Sequence, residues 1–281
     1  MRFGVNLWTW ISPFTTEKID YIEKVRRMGY DWVEIPIEDP SLIDFERVGA
    51  VIRDAGMGVS TCAAMGPDRD LTIDDATINQ SGKDYLKACI DGAAGLGSGI
   101  VAGPVYATVG RTWQSEGDQR RRELERCAGN LREVAAYAHD KGVTLALEAL
   151  NRFETSFINT TEQALELVGV VDSPALQLMA DTFHMNIEEK HIGPAMQQMG
   201  TRLVHIHANE NDRGIPGSGH VDWAGVAAAI KALNYDGPLV IESFSTEVKT
   251  IARAAAIWRP PAPSQDELAE KGLVFLKQLV R

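Results

Sequence analysis

Short apolar runs alternate with longer amphipathic stretches along the whole chain. Runs of about four to eight apolar residues are typical of buried strands, and a period of about 3.6 residues is typical of helices. Strands are predicted at residues 3–7, 32–35, 58–63, 99–103, 143–148, 175–181, 203–207 and 238–242. Helices are predicted at residues 17–28, 45–55, 82–96, 119–140, 161–168, 192–199, 223–233 and 266–280. This alternation indicates a parallel sheet built from strand–helix–strand units.

Eight such units within 281 residues predict an α/β protein, a single (β/α)8 TIM barrel over residues 1–281 that ends in a C-terminal helix. Glycine lies between a predicted helix and the next strand at Gly29, Gly56, Gly97 and Gly142. A left-handed residue that ends a helix favours glycine there. The alternative is an open doubly wound sheet, which would favour a G-x-G-x-x-G turn after its first strand, and that turn is absent from the sequence.

Composition and charge argue against several classes of binding partner and binding site. The formal net charge is −11, whereas a nucleic acid or an anionic membrane would need a basic face. The three cysteines are widely spaced and form no C-x-x-C pair, which argues against a disulfide framework and a thiolate metal site. Neither a signal peptide nor an apolar run long enough to cross a bilayer is recognised. We therefore expect a cytoplasmic protein that acts on a small polar molecule.

Four consecutive predicted strands end in a residue that can bind a metal ion, namely Glu148, Asp181, His207 and Glu242. Strand side chains alternate between two faces, so these four are expected to point into the barrel at its carboxyl end, where barrel enzymes place their active sites. The residues expected to face the outer helices are Leu145, Leu147, Leu178, Ala180, Val204, Ile206, Leu239 and Ile241. A single carboxylate at a strand end is more often a helix cap or an ion-pair partner. Four potential ligands at the ends of consecutive strands, all expected to point into the barrel, favour a metal site.

One imidazole and three carboxylates form a mixed nitrogen and oxygen set. Such a set suits Mn²⁺, Co²⁺ or Mg²⁺ better than structural Zn²⁺, which favours cysteine and histidine. A bound cation would also relieve the repulsion between clustered carboxylates. We therefore predict a divalent metal ion, with Mn²⁺ as the first choice and Co²⁺ and Mg²⁺ left open.

Motifs around these residues resemble the D-tagatose/D-allulose (psicose) 3-epimerase family. They are N-R-F-E at 151–154, D-T-F-H-M-N-I-E-E at 181–189, H-I-H at 205–207 followed by Glu210 and Arg213, and the late Trp258-Arg259. The likeness runs from Gly4 to the last helix. It implies a xylose-isomerase-like barrel, a homodimer or homotetramer, and epimerisation at C3 of a free keto-sugar.

The resemblance also implies roles for individual residues. The metal would be held by Glu148, Asp181, His207 and Glu242, and the acid/base pair would be Glu148 and Glu242. Substrate oxygens would be held by Glu154, His184 and Arg213. Epimerisation removes a proton from the carbon beside the C2 carbonyl and returns it on the opposite face, so a metal bridging the C2 and C3 oxygens would stabilise the enediolate as a Lewis acid.

Some residues depart from the family pattern or keep two interpretations. The family usually has Glu-Pro-Phe where this chain has Glu242-Ser243-Phe244, and aromatic residues are common at the positions of Asn6 and Phe14. The choice among D-allulose/D-fructose, D-tagatose/D-sorbose and L-ribulose/L-xylulose therefore stays open. His205 is interpreted as a residue one layer below the ligands. The residues that could line the pocket mouth or pack elsewhere are Trp8, Trp10 and Trp113.

Three other functions are weighed against the epimerase. Hydroxypyruvate isomerases and inosose dehydratases resemble this barrel and also bind one metal through carboxylates and histidine. An endonuclease-IV-like phosphodiesterase would need more histidines than the six present and a basic face. A non-catalytic sugar-binding module would have no use for a base on each side of the sugar.

Overall fold

In the computed structural model, eight parallel strands close into a barrel in chain order. The structure describes Met1 to Arg281, apart from the side chains of Thr250, Ile251 and Ala254. The strands are β1 (Arg2–Asn6), β2 (Trp32–Ile37), β3 (Gly58–Ala63), β4 (Ile100–Gly103), β5 (Thr144–Glu148), β6 (Leu176–Asp181), β7 (Leu203–His207) and β8 (Pro238–Ile241). Pairing of β1 with β8 closes the ring. The predicted (β/α)8 TIM barrel is therefore confirmed.

Helices follow the strands around the outside of the barrel. In the described chain they are α1 (Asp20–Arg27), α2 (Phe45–Asp54), α3 (Ala76–Leu96), α4 (Gly117–Asp140), α5 (Thr161–Val171), α6 (Thr182–Glu188), α7 (Ile192–Met199), α8 (Trp223–Ala232), α9 (Lys249–Ala254) and α10 (Gln265–Leu279). None of these helices is long and apolar enough to span a lipid bilayer. The four glycines expected after helices all have positive φ, at Gly29, Gly56, Gly97 and Gly142.

Several helices differ from the sequence prediction, and α6 and α9 were not predicted. Helix α3 begins six residues before the predicted start at Gly82, because the Asp75 side chain caps it by accepting from the backbone N–H groups of Thr77 and Ile78 at 2.9 and 3.1 Å. Helix α6 starts directly at the end of β6, with Asp181 as its N-cap. No turn residues separate this helix from the strand, so the sequence pattern did not reveal it.

The core lies between the barrel and the helices, with a small second cluster inside the barrel. Most residues predicted to face outward lie in the large core, including Leu145, Leu178 and Ile206. Val204 is the exception, because it packs against the inner cluster of Ala102, Ala146 and Met179. The pairing of β6 and β7 shifts by one residue between Leu178 and Met179, so Val204 has no partner opposite it. The strict alternation assumed for β7 is wrong at that residue.

The close approach of α7 and α8 gives a test of this packing. A methyl group added at Gly193 would lie 2.6 Å from the backbone oxygen of Gly225, whereas one added at Gly169 of α5 would meet nothing within 4 Å. We expect Gly193→Ala to destabilise the protein by about 1–3 kcal/mol through overpacking. The matched variant Gly169→Ala should stabilise it by about 0.5–1 kcal/mol, because alanine loses less backbone entropy in a helix. Urea unfolding measures both, and equal midpoints for the two variants would contradict the packing described.

Candidate active site

The four predicted metal ligands lie together at the carboxyl end of the barrel. Residue pairing places Asp181 opposite His207, and each of the four side chains is at most 5% exposed. The Nδ1 atom of His207 lies 3.5 Å from Oε2 of Glu242 and 3.8 Å from Oδ2 of Asp181. A carboxylate oxygen of Glu148 joins the same group, since potential ligand atoms of Glu148, Asp181 and His207 all lie within 4.8 Å of one another.

The pKa values of Glu148 and Asp181 are shifted in opposite directions. Burial, and then the neighbouring Asp181 charge, raise the pKa of Glu148 well above that of an ordinary glutamate. Burial alone would also raise the pKa of Asp181, but the Arg213 guanidinium and nearby imidazoles lower it below the ordinary value. The pKa values of these two neighbouring carboxyl groups are therefore separated, and Glu148 takes up a proton more readily than Asp181.

Arg213 is the cation of this cluster. Its side chain is 4% exposed, and its Nη1 donates to Oδ2 of Asp181 at 2.8 Å and to Oε2 of Glu242 at 2.9 Å. The guanidinium lies over the ring of Phe183 at 4.1 Å from its centroid, with the Phe244 centroid 5.2 Å away. Burial alone would lower the pKa of Arg213, but the two carboxylates raise it, so the residue stays charged. The loop after β7 thus folds this arginine inward.

His184 presents a hydrogen-bond donor to the cluster. It lies on helix α6, where its Nδ1 accepts from the backbone N–H of Asn151 at 3.0 Å. A backbone N–H can only donate, so the proton of the neutral ring is on Nε2, which lies 3.7 Å from Oε1 of Glu148. Burial lowers the pKa of His184, which favours this neutral form. Glu154 is the third predicted substrate contact. Its carboxylate accepts from the Asn151 side chain at 2.8 Å, and Asn151 in turn contacts His184.

Glu34 was not predicted as part of the site. This fully buried residue of β2 accepts from Nε2 of His207 at 2.6 Å and lies 2.8 Å from Nε2 of His205. His205 therefore lies inward and one layer below the ligands, as the alternation of β7 predicts. Burial alone would raise the pKa of Glu34, but the two imidazoles lower it well below the ordinary value. A glutamate inside the apolar run of β2 was the available signal for this residue.

Asn209 is a second residue that the sequence did not reveal. Its Nδ2 donates to Oδ2 of Asp181 at 2.9 Å, and its Oδ1 accepts from the backbone N–H of Glu242 at 2.7 Å. The Asn209 side chain, which follows β7, thus links the end of β6 to the residue directly after β8. Its position two residues after His207 was the only sequence signal.

Cys62 lies against the cluster as well. Its sulfur and potential ligand atoms of His207 and Glu242 are within 4.8 Å of one another. Burial raises the pKa of this thiol well above its ordinary value, so the thiol stays protonated. Cys62 also packs with Trp8 and Phe244, whose rings are 6.0 Å apart, in an apolar patch beside the ligands.

Trp10, Phe14 and Trp113 make their contacts with residues other than the ligands. Trp10 donates from Nε1 to Asp266 of α10 at 2.7 Å, and Phe14 is part of the large core. Trp113 is 42% exposed and lies 4.5 Å from the buried guanidinium of Arg111. Asn6 points to the inside of the barrel, where its side chain donates to Glu34 at 2.9 Å.

Comparisons with known proteins show the family to which this barrel belongs. Residues 22–279 match the family of xylose isomerase-like TIM barrels. The chain is 33% identical to L-ribulose 3-epimerase of Methylomonas sp. (strain DH-1), with 99% of this chain and 97% of the relative covered. It is 34% identical to a probable ketose 3-epimerase of Synechocystis sp., with 99% and 96% covered. The chain belongs to the ketose 3-epimerase family.

The solved structures agree with this membership. The crystal structure of D-allulose 3-epimerase from Methylomonas sp. in complex with D-allulose matches the model with a TM-score of 0.92 and 31% identity over 99% of this chain and 96% of that one. The resemblance drawn from the sequence motifs is therefore confirmed. As a member of the ketose 3-epimerase family, the chain is an isomerase-class enzyme.

The loop that carries Arg213 in this ketose 3-epimerase family member is built around Glu210. This buried carboxylate accepts from the backbone N–H groups of Asn211, Gly217 and Val221 and from Nε1 of Trp223, at 2.8 to 3.1 Å. Burial alone would raise the pKa of Glu210, but these donors, with that of Trp223 first, lower it below 4.5. The ionised carboxylate therefore stabilises the loop that folds Arg213 inward.

We expect Glu210→Gln to lower the free energy of unfolding by about 2 kcal/mol near neutral pH, because an amide NH₂ would face donors. The wild-type advantage is present above the pKa of unfolded glutamate, 4.5, and is lost as the pH falls through the lower folded value. Urea unfolding of both proteins at about pH 7 and pH 4 measures the gap. Glu125→Gln, at a side chain that is 67% exposed, serves as the control. A gap of the same size at both pH values would contradict this role.

Proposed function

We propose that this protein is a metal-dependent enzyme that interconverts the C3 epimers of free keto-sugars by proton transfer through an enediolate. The observation that carries the proposal is the buried cluster of Glu148, Asp181, His207 and Glu242 at the carboxyl end of the barrel. Relatives named as L-ribulose 3-epimerase and ketose 3-epimerase support the reaction class. The homo-oligomeric state and the preferred sugar stay predictions.

The residues present fit a divalent cation. Oε1 of Glu148 and Nδ1 of His207 are buried, and neither has a hydrogen-bond partner among the described residues. Both atoms belong to the cluster, and each has a lone pair to offer when the group is deprotonated. With oxygens of Asp181 and Glu242, they form a mixed donor set that suits Mn²⁺ and also accepts Co²⁺ or Mg²⁺. A divalent ion held by these four residues would supply Lewis acidity at the C2 and C3 oxygens of the sugar.

Two carboxylates are available to move the C3 proton. We assign one face of the sugar to Glu148 and the other to Glu242, so that one removes the proton and the other returns it. Each carboxylate has a second oxygen that remains free when the first binds a cation.

Two donors point to the place where negative charge would develop. Nη2 of Arg213 lies 3.2 Å from Nε2 of His184, which carries the ring proton while Nδ1 accepts from the backbone N–H of Asn151. We propose that they donate to the C2 oxygen of the substrate, whose charge grows as the proton leaves C3. Glu154 would accept from a sugar hydroxyl. The rings of Phe183 and Phe244 flank Arg213 and keep water away from it.

The reaction can be tested by hydrogen exchange. Mn²⁺-loaded enzyme is incubated in D₂O with L-ribulose, D-fructose or D-tagatose, and the sugars are freed of protein and metal before NMR. We expect deuterium at C3 together with the C3 epimer, and loss of both after EDTA treatment. Exchange at C1 with aldose formation would instead indicate an aldose–ketose isomerase. Absence of exchange with all three ketoses would contradict the proposal.

The acid/base assignment predicts the effect of single substitutions. Glu148→Gln and Glu242→Gln should each reduce kcat by about 10³-fold or more, because a positioned acid/base group is worth about 10²–10⁴ in rate. Circular dichroism should show an unchanged fold. Glu125→Gln on α4, whose side chain is 67% exposed, should keep wild-type kcat. Retained turnover in either site variant would exclude that residue from the acid/base pair.

Metal binding should release protons. Burial alone would lower the pKa of His207, but Glu34 and Glu242 raise it well above 6.5, and the pKa of Glu148 is also raised. These groups hold protons in the metal-free enzyme, and a cation must displace them, so Mn²⁺ affinity should rise as the pH rises. Calorimetry in buffers of different ionisation enthalpy measures the number of protons released. Binding without proton release would contradict the assigned ligands.

A further inference from the structure

A single buried carboxylate below the cluster contacts both histidines of β7. We propose that Glu34 is a positioning residue for the metal site, because it holds the His207 ring with Nε2–H toward β2 and leaves Nδ1 facing the ligand carboxylates, as the atom that a cation would bind. This inference rests on the proposed metal-dependent function and names a residue that acts through a ligand.

The contacts of His207 separate its two nitrogens. Nε2 lies 2.6 Å from Oε1 of Glu34, a hydrogen-bond length. Nδ1 has no hydrogen-bond partner among the described residues and faces Glu242 and Asp181 at 3.5 and 3.8 Å. A neutral imidazole has one N–H, so donation from Nε2 to Glu34 leaves Nδ1 as the atom that can bind a cation.

Glu34 is itself held in one orientation. Oε1 also accepts from Nδ2 of Asn6 at 2.9 Å, and Oε2 accepts from Oγ of Ser60 at 2.7 Å and lies 2.8 Å from Nε2 of His205. Ser60 in turn accepts from Nε1 of Trp32 at 2.9 Å. Residues of β1, β2, β3 and β7 therefore fix the carboxylate, which has no solvent exposure. A carboxylate with this many donors cannot rotate away from His207 without losing several of them.

The same contacts argue against Glu34 as a metal ligand with His205 and His207. Atoms that bind one ion at about 2.0–2.2 Å lie roughly 3 Å or more apart. The 2.6 Å spacing from Nε2 of His207 to Glu34 is that of a hydrogen bond, and Nε2 of His205, at 2.8 Å, is also closer to Glu34 than two ligands of one ion would be. Both carboxylate oxygens are also occupied by the donors of Asn6 and Ser60. Glu34 therefore contributes to the metal site through His207.

The test is the affinity of metal-free enzyme for Mn²⁺ alone, measured by calorimetry. Glu34→Leu removes the acceptor and should weaken Mn²⁺ binding by about 10–100-fold. Glu34→Gln can keep an oxygen toward His207 while its NH₂ faces Ser60 and His205, both of which can accept, so it should bind within about 10-fold of wild type. The matched control is Asp70→Asn, at a carboxylate that is 1% exposed and accepts from Thr72 and Thr108. It should bind Mn²⁺ as wild type does.

Three results would overturn the inference. One is wild-type Mn²⁺ affinity in Glu34→Leu, and another is an equal loss in Asp70→Asn, which would indicate a general effect of a disturbed core. Absence of Mn²⁺ binding by the wild type would instead overturn the proposed function, and the inference with it.

A second measurement remains decisive if Glu34→Leu does not fold. Nitrogen-15 NMR of histidine-labelled wild-type enzyme loaded with Mg²⁺ reports the protonation of each ring nitrogen. We expect the His207 signal to show a proton on Nε2 and none on Nδ1. A proton on Nδ1 with Nε2 bare would exclude the positioning role.

Discussion

Four carboxylates are buried at the carboxyl end of the barrel, and each is at most 5% exposed: Glu34, Glu148, Asp181 and Glu242. A buried charge costs several kcal/mol unless cations or donors surround it. Arg213 compensates Asp181 and Glu242, and the imidazoles of β7 compensate Glu34. One oxygen of Glu148 has no partner among the described residues. Two of the unpaired atoms, Oε1 of Glu148 and Nδ1 of His207, belong to the cluster in which a divalent cation would bind.

The loop that carries Arg213 holds its positive charge beside the buried carboxylates. Arg213 adopts a left-handed conformation at φ 62°, which is uncommon for a residue with a side chain. Its loop is held from one side by Glu210 and from the other by Ser243, whose hydroxyl donates to the backbone oxygen of Arg213 at 2.8 Å. Contacts from two different loops therefore hold the buried arginine beside Asp181 and Glu242.

Much of this arrangement follows from the sequence. The barrel and its four strand-end residues could be predicted because strand alternation and apolar runs depend on burial, which is a local property of each strand. Glu34 and Asn209 could not, since their roles depend on which strands and loops become neighbours once the barrel closes. Val204 was misplaced because the shift in pairing between β6 and β7 is a property of two strands together. No helix was predicted around His184, because α6 starts directly at the end of β6 with no turn residues between them.

If a divalent ion and a ketose meet between Glu148 and Glu242, anomalous diffraction at the manganese edge should locate both in crystals grown with Mn²⁺ and soaked with L-ribulose. We expect one strong peak bounded by Glu148, Asp181, His207 and Glu242, with C3 of the sugar between Glu148 and Glu242. A peak elsewhere, or a sugar whose C3 is reached by only one of the two glutamates, would contradict this expectation.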